Sequence, residues 1–533
     1  MVATDVWMDS GAMVSMIPEQ RIYIGEFDGE STTNSVTTLT LGSEFTVNFA
    51  LVPDLYVGCQ LEIYLAADNT LKDVTTIRSN TATTVDVINA LAALITDHTL
   101  YYGIIRAYGA PVPGPKNGAN PRLLADNWMG LASSITIPTT SVDVKQLNVD
   151  ASGTRNFIYQ FKGAETTGNA SLTAFANSFP WLYYALGSKT ITATTTDGSN
   201  GDFEIATLPS THDDSIFAKD GNRLIRVDQA IADSANILCP PVRAFDTTAP
   251  FLDEDYQGGT TYDLITYAIS ESNDTELPSF AMEYTLRKAA HLTTTAVDAS
   301  KEDVYTKIYP GCVVSNLSIS ATAGQEIECS VDLMPKTTFV APTNYEPGNG
   351  ETDITKFINF GSRRGSIQTG STEYTSDVME PIMRPFFFSD GTVELFNEEF
   401  LRIESMTLAI DNGVAQRRFI GKSDKRHQIP FATQRTYSLD FTALVTNADL
   451  FDHFRQEHAF SLTGTGTTEL TAPIKLRFDK TSGESLLLEF KDYHVGSAEF
   501  PLTNDQGPIT VSFQVTPLAL EECSLVTYWG IQG

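Results

Sequence analysis

The stretch from Leu401 to Glu457, LRIESMTLAIDNGVAQRRFIGKSDKRHQIPFATQRTYSLDFTALVTNADLFDHFRQE, constrains the fold most, because its hydrophobic period changes in a fixed order. Ile403, Ser405, Thr407, Ala409 and Asp411 alternate with Glu404, Met406, Leu408 and Ile410, one face polar and the other apolar. Period two is the mark of a half-buried strand. Asn412-Gly413 offers two positive-φ positions and predicts a tight hairpin turn ahead of a charged loop. Leu439, Phe441, Ala443 and Val445 then restart the alternation. A short amphipathic helix follows: Asn447 caps it, Asp449 sits where the helix dipole favours an anion, and Leu450, Phe451 and Phe454 form its apolar stripe. The segment predicts a β-sandwich edged by one helix.

At 533 residues the chain exceeds what one core serves, so two or three domains are expected. Apolar content of 42% excludes global disorder. With 36 Gly and 24 Pro between short apolar runs, the expectation is a mainly β protein with many turns. Residues 1–28 read as an arm that orders on contact with neighbours. Residues 29–112 read as an additional β domain, with Val87 to Ile95 as a short helix, closed by the Pro- and Gly-rich linker around Pro111 to Gly118. Residues 113–345 and 346–533 complete the division.

The strand around Asn412 and the strand-helix junction from Tyr437 to Phe454 resemble the tail tube proteins of long-tailed prokaryotic viruses. SSITIPTT at Ser133–Thr140, PSFAMEYTLR at Pro278–Arg287 and the run following Pro310-Gly311-Cys312 agree with the resemblance. Together these cover roughly Leu131 to Gly533, and their order is what is specific. The resemblance implies two tube-type β-sandwich modules each with a short α-helix, besides the N-terminal β domain and long loops. It further implies a non-enzymatic structural protein that stacks as rings, with tape measure, tail terminator and tip proteins as partners, and DNA passing through unbound.

The tube-like part reads as doubled. Asn156–Leu186 holds two strands leading into Asn177, Pro180 and an aromatic helix, and Phe431–Phe454 repeats the order about 270 residues later. Phe161 and Phe431 head the two segments, with Asn177 and Asn447 at the helix starts. A doubled chain would close the sixfold family pattern with three copies, a single one with six. The insertion 189–259, with its Asp197-Gly198 and Asp220-Gly221 turns, and the span from Lys336 to Pro385 are the candidates for reaching the next ring.

The net charge of −31 argues against a protein that grips nucleic acid through phosphate contacts, and suits either solubility or a wall along which duplex DNA slides. Arg417, Arg418, Lys422, Lys425 and Arg426 form the strongest positive patch, read as meeting an acidic face of a neighbouring subunit or ring. Phe451, Phe454 and Trp181 complete the candidate inter-subunit contacts. Cys59, Cys239, Cys312, Cys329 and Cys523 contain no Cys-x-x-Cys pair, and Cys312 and Cys329 read as small buried hydrophobes. His453 and His458 lie five apart, one residue off the zinc-helix spacing. The acid pairs Glu398-Glu399 and Glu521-Glu522 would point to opposite strand faces. No catalytic, metal or cofactor residue is assigned. No secretory signal or membrane span is visible, and synthesis in a host cytoplasm followed by self-assembly into a virion tail is expected. The alternative is a receptor- or glycan-binding tail or surface protein, with Trp181, Tyr183 and Tyr184 stacking on sugars; a capsid decoration protein is a third reading.

Overall fold

The computed structural model describes residues 13–18, 20–27, 37–42, 49–51, 56, 59–65, 70–89, 91, 101–107, 114–115, 131–147, 159–194, 216–220, 223–227, 231–233, 236–238, 265–273, 277–287, 304–336, 338–340, 384–395, 398–399, 402–416, 430–444, 473–499 and 509–527. Eight strands organise the body: β1 (Leu131–Thr136), β2 (Ala170–Phe175), β3 (Val304–Thr322), β4 (Glu328–Met334), β5 (Ile403–Asp411), β6 (Thr436–Leu444), β7 (Tyr493–Glu499) and β8 (Thr510–Pro517). They lie side by side in the order β1-β2-β4-β3-β5-β6-β8-β7, every neighbour antiparallel. One row of paired residues crosses all eight: Leu131, Phe175, Glu328, Ser320, Thr407, Asp440, Gln514 and Ser497. The first quartet, β1-β2-β4-β3, comes from residues 131–334, here the first half of the body, and β5-β6-β8-β7 repeats its order in the second half, residues 403–517.

Period-two patterning decides which way this sheet faces. Met406, Leu408 and Ile410 of β5 are buried, as are Leu439, Phe441 and Ala443 of β6, while their alternates turn outward. Burying one such side chain contributes roughly 1.5–3 kcal/mol, so a slip of one residue would expose the whole set. The covering layer is a second antiparallel sheet, in the order Gly187–Thr194, Ile265–Glu271, Glu522–Thr527, Ser485–Phe490, Ile474–Asp479, Gly391–Leu395 and Glu398–Glu399. Its Tyr267, Leu476, Leu488 and Leu525 join Leu172, Val331, Leu317 and Phe513 of the central sheet in one apolar cluster. The two halves therefore share a core.

Helix α1 (Trp181–Leu186) follows β2, as the sequence predicts, and all six of its residues are buried. It begins after Pro180, with no side-chain cap, and ends at Gly187 in the left-handed region, φ 105°. Asn177 is not its cap: the Asn177 carbonyl instead accepts a hydrogen bond from Lys480 Nζ at 2.6 Å. The counterpart helix expected at Asn447–Phe454, with Phe451 and Phe454, lies outside the described residues.

The expected Asn412-Gly413 hairpin is a different structure. β5 and β6 do pair, closing at Asp411 opposite Thr436, yet 24 residues intervene, from Asn412 to Arg435. Asn412 is wholly buried; its Nδ2 donates to the carbonyls of Ala185 at 3.0 Å and Val314 at 3.1 Å. Only the glycine behaves as expected, at φ 52°. A second bridge, Ala415 to Phe431, carries the ladder outward before the chain leaves the described region.

A third sheet holds the N-terminal region, in the order Arg223–Val227, Ile216–Asp220, Gln20–Glu26, Tyr101–Ala107, Gln60–Leu65, Thr70–Asn80, Thr84–Val87 and Thr38–Thr40. It has its own core of Ile24, Phe27, Leu61, Ile63, Ile77 and Ile105. Val87 ends a strand here instead of opening a helix. The arm at 1–28, expected to order on neighbours, pairs within its own chain: Met13–Pro18 with Phe280–Arg287, and Gln20–Glu26 inside the third sheet. Two strands of the insertion do the same, Ile216–Asp220 running parallel to Gln20–Glu26. The insertion starts later than expected, because Lys189 belongs to a strand paired with Ile265–Glu271.

Candidate assembly surface

The outward face of the central sheet carries an unusually uniform chemistry. Thr136, Ser171, Asp332, Asn316, Asp411 and Thr436 form one row; Ser134, Thr173, Ser330, Ser318, Ala409 and Ser438 the next. Glu328, Ser320, Thr407, Asp440 and Gln514 follow, then Thr322, Ser405, Thr442 and Ser512. As named, these four rows hold hydroxyls, two amides, Ala409 and four carboxylates, and neither lysine nor arginine; the third row runs on through Phe175 and Leu131. Cross-strand bonds order them: Thr173 to Ser330 at 3.1 Å, and Gln514 Nε2 donating to Ser438 Oγ at 3.1 Å. Within these rows a polyanion finds no lysine or arginine to hold it and four carboxylates to repel it; Arg402, exposed, stands beyond them at the end of β5.

A two-stranded ribbon leaves the sheet where β1 and β2 would otherwise turn. Thr140–Leu147 pairs with Tyr159–Thr167, and a bulge at Gly163-Ala164, two residues opposite Asp143, shifts its register. A β-carbon at Gly163 would stand 2.8 Å from the Asp143 carbonyl oxygen, so the bulge needs glycine at that position. Past the bulge, Phe161 and Tyr159 share one face with Lys145, and the two rings are 6.2 Å apart. The rings are 43% and 62% exposed. Its root is held by the body: Lys307 Nζ donates to Thr140 Oγ1 and the Tyr309 hydroxyl to the Pro138 carbonyl, both at 3.0 Å. The ribbon is thus held at its root and exposes two aromatic rings beside Lys145. The β5–β6 connection leaves the same end of the sheet, because β1 and β5 run in the same direction.

Trp181, expected among the subunit contacts, is instead a core residue. It is 3% exposed and meets Phe280 edge-on, with ring centres 5.8 Å apart. Tyr183 and Tyr184 are 5% and 0% exposed, which removes the aromatic platform of the glycan-binding reading. Arg417, Arg418, Lys422, Lys425 and Arg426 lie outside the described residues, between the described ends of the β5–β6 connection. Cys59, Cys312, Cys329 and Cys523 are buried; Cys239 lies outside the described residues. Among the described residues no group of acids, histidines and cysteines could hold a metal ion, and no helix is long and apolar enough to cross a membrane. Sequence reasoning missed the ribbon, because Val142, Val144, Phe161 and Tyr159 in alternation look like an ordinary buried strand.

A layered β protein with one broad, hydroxylated sheet face, and among the described residues no metal-binding cluster, points to the class of structural, assembly-forming proteins. Residues 57–517 match the family described as phage tail tube protein, and the chain belongs to that family: it is a structural tail protein of a virion. Two solved structures overlap a quarter of the chain, the virion of a native gene transfer agent particle and the tail of an empty gene transfer agent particle. The first has 11% identity and a TM-score of 0.18, and 95% of it is covered. The second has 10% identity and a TM-score of 0.18, with 92% covered. No curated protein matches the sequence.

Proposed function

We propose that the chain is the tube subunit itself, polymerising into stacked rings whose bore conducts the genome into the host. The observation that carries this is the polar face of the central sheet, whose four described rows hold no lysine or arginine, which suits a bore lining. DNA that must move fast is served by a wall offering no phosphate contacts, since each lysine or arginine there would be a point of arrest. The exposed ribbon and the basic β5–β6 connection leave one end of that sheet and are the contacts toward the next ring. Arg417, Arg418, Lys422, Lys425 and Arg426 meet acidic surface there, and Phe451 and Phe454 lie at the same kind of contact. Two quartets per chain favour three copies per ring over six. Tape measure, terminator and tip proteins are the other partners, and the protein is made in the host cytoplasm.

Negative-stain electron microscopy of the concentrated protein tests this. Tubes or stacked rings with a DNA-wide bore are expected, with alternating lobes end-on if the ring holds three chains. Compact particles without a bore at every concentration and salt would overturn it. In an Arg417→Glu, Arg418→Glu variant, folded subunits with reduced tube yield are expected; wild-type yield would remove the basic contact from the reading.

A further inference from the structure

A buried polar cluster ties the first half of the body to the second. Lys480 and Glu484 bound the turn between Ile474–Asp479 and Ser485–Phe490 of the second sheet. The Lys480 amide donates to the Glu484 carbonyl at 2.8 Å and the Gly483 amide to the Lys480 carbonyl at 3.0 Å, so the turn is closed at both levels. Opposite it lies Asn177, buried in the short link between β2 and α1. Its neighbour Ala176 is held on both sides, the amide donating to the Ile327 carbonyl at 2.8 Å and the carbonyl accepting from the Phe386 amide at 2.7 Å. Lys480 Nζ donates to the Asn177 carbonyl at 2.6 Å and stands 2.8 Å from Glu484 Oε2. It also lies 4.4 Å from the centre of the buried Phe386 ring, which packs against Phe179. The Asn177 Nδ2 is buried with no hydrogen-bond partner, and an unmet buried donor is rare enough to need a reason.

An amine in a dry, apolar site keeps its lone pair for attack, and a carboxylic acid beside it carries protons to and from the reacting atoms. Proton transfer from Nζ to Oε2 turns the ion pair into that amine and that acid. Burial favours the neutral pair, pushing the lysine below and the glutamate above their ordinary pKa values. We infer that Lys480 and Asn177 become joined by an isopeptide bond, with Glu484 as the catalytic residue. Cγ of Asn177 branches from the same Cα as the carbonyl that Nζ touches, and side-chain rotation brings it to the amine. Nζ bonds to Cγ, Glu484 gives its proton to the amide, the Cγ–Nδ2 bond breaks, and Nδ2 leaves as ammonia. Glu484 takes back a proton from Nζ, so nothing is oxidised or reduced. The ion pair is the newly folded subunit, and the bond replaces it: the unmet Nδ2 departs and the buried charges are gone. The clasp spans 303 positions of the chain, and a cross-link restricts the unfolded state more the longer the loop it closes. It goes beyond the conduit reading and does not depend on it.

Mass spectrometry of the full-length protein tests it. Wild type, freshly purified and again after a week at room temperature, should convert to a species one ammonia lighter than its sequence. A tryptic digest of the aged protein should contain a branched peptide joining Gly163–Lys189 to Phe478–Lys491. That peptide separates the bond from a succinimide, which loses the same ammonia without joining two segments. Aged wild-type protein without the branched peptide overturns the inference, whether or not tubes are seen in the microscope, and needs no variant to fold. Asn177→Asp should lose water in place of ammonia and give a branched peptide of the wild-type mass. Glu484→Gln should slow the conversion by roughly 100-fold or more, the loss expected when a positioned proton carrier is removed. Conversion at the wild-type rate would take Glu484 out of the reaction and overturn its role. Asn177→Ala, which keeps Lys480 and Glu484, should retain the circular dichroism spectrum and form no link; a branched peptide in that variant would overturn the assignment to Asn177.

Discussion

Arg435 donates from Nη2 to the carbonyls of Leu186 at 3.0 Å and Ala185 at 3.2 Å, so a guanidinium from the second half closes the C-terminus of the helix in the first. Terminal helix carbonyls lack intrahelical partners and carry the negative end of the dipole, which makes a cation the fitting cap. Arg435 Nε donates to Asn412 Oδ1 at 2.9 Å, and Nη1 lies 3.8 Å from Glu271 Oε2. Glu271 Oε1 in turn accepts from the Tyr437 hydroxyl and from the Leu520 amide. Asn412 and Arg435 are the two ends of the β5–β6 connection. One network thus fixes the root of that connection against the first half.

Arg435→Ala is expected to lower the unfolding free energy by roughly 1–3 kcal/mol, since it removes the cation from the helix C-terminus and leaves the Asn412 amide oxygen without its Arg435 donor. Arg435→Lys should recover less than half of this, because an ammonium cannot reproduce the planar fork. Denaturant unfolding of the three proteins measures it. A lysine variant as stable as wild type would show that charge alone is at work.

Gly413→Ala should cost roughly 1–2 kcal/mol, from the positive φ and from crowding against Thr433, whose hydroxyl donates to the Gly413 carbonyl at 2.6 Å. Asn412→Ala should cost about 2 kcal/mol, because the Val314 carbonyl and Arg435 Nε each lose the Asn412 side chain as a partner. Thermal unfolding separates these from a true hairpin turn, in which alanine at the asparagine would cost little.

The strands around Met406, Leu439 and Leu172 were legible because period two is a local signal and burial follows it directly. The role of Asn412 was not legible: Asn-Gly is a strong hairpin pair, and what overrides it here is contact with Ala185 and Val314, far away in sequence. The doubling was legible as an order of elements only. An offset of 270 would match Leu172, 2% exposed, with Thr442, which lies in an outward row; the halves agree in strand order while their spacing differs. The ribbon and the pairing of Ile216–Asp220 with Gln20–Glu26 are non-local, and nothing in either segment names its partner.

Lys480 and Glu484 form an ion pair at 2.8 Å with both side chains 1% exposed, and Lys480 also lies over the Phe386 ring. Burial pushes the lysine below its ordinary pKa and the glutamate above its own, and their mutual attraction opposes both shifts. Lys480→Met should therefore destabilise by roughly 3–5 kcal/mol by leaving a buried carboxylate unpaired, and Lys480→Met with Glu484→Leu should recover most of it. Denaturant unfolding of single and double variants decides it. A double variant as weak as the single would place the loss in packing around Phe386.

Lysine substituted on the outward rows tests their proposed role as the bore lining without touching the core. Asp332→Lys and Asp440→Lys are exposed changes, so stability should move by no more than about 0.5 kcal/mol. Binding of duplex DNA by the variant protein should rise from negligible to measurable at low salt and vanish again as salt increases. Filter binding across a salt series reads this directly. Equal, negligible binding by wild type and variant in tubes of normal appearance would mean that this face does not line the bore.

The same buried groups that hold the core make the protein sensitive to alkali. Burial pushes the Cys312 and Cys329 thiols from 9.0 up to about 12, and the Tyr493 hydroxyl from 10.0 up to about 12. A folded pKa above the unfolded one means that the native state keeps a proton the unfolded chain has released. Their stabilisation is therefore complete below pH 9 for the thiols and below pH 10 for the tyrosine, and falls as pH rises toward 12. Each thiol accounts for up to about 4 kcal/mol across that window. Denaturant unfolding at pH 7, 9, 10 and 11 should show a plateau and then a steep loss. Cys312→Ala should be weaker at pH 7 because of the space it leaves, yet lose less between pH 9 and 11, since one protonation difference is gone. Parallel curves for variant and wild type over that interval would mean that the Cys312 thiol ionises without the core opening.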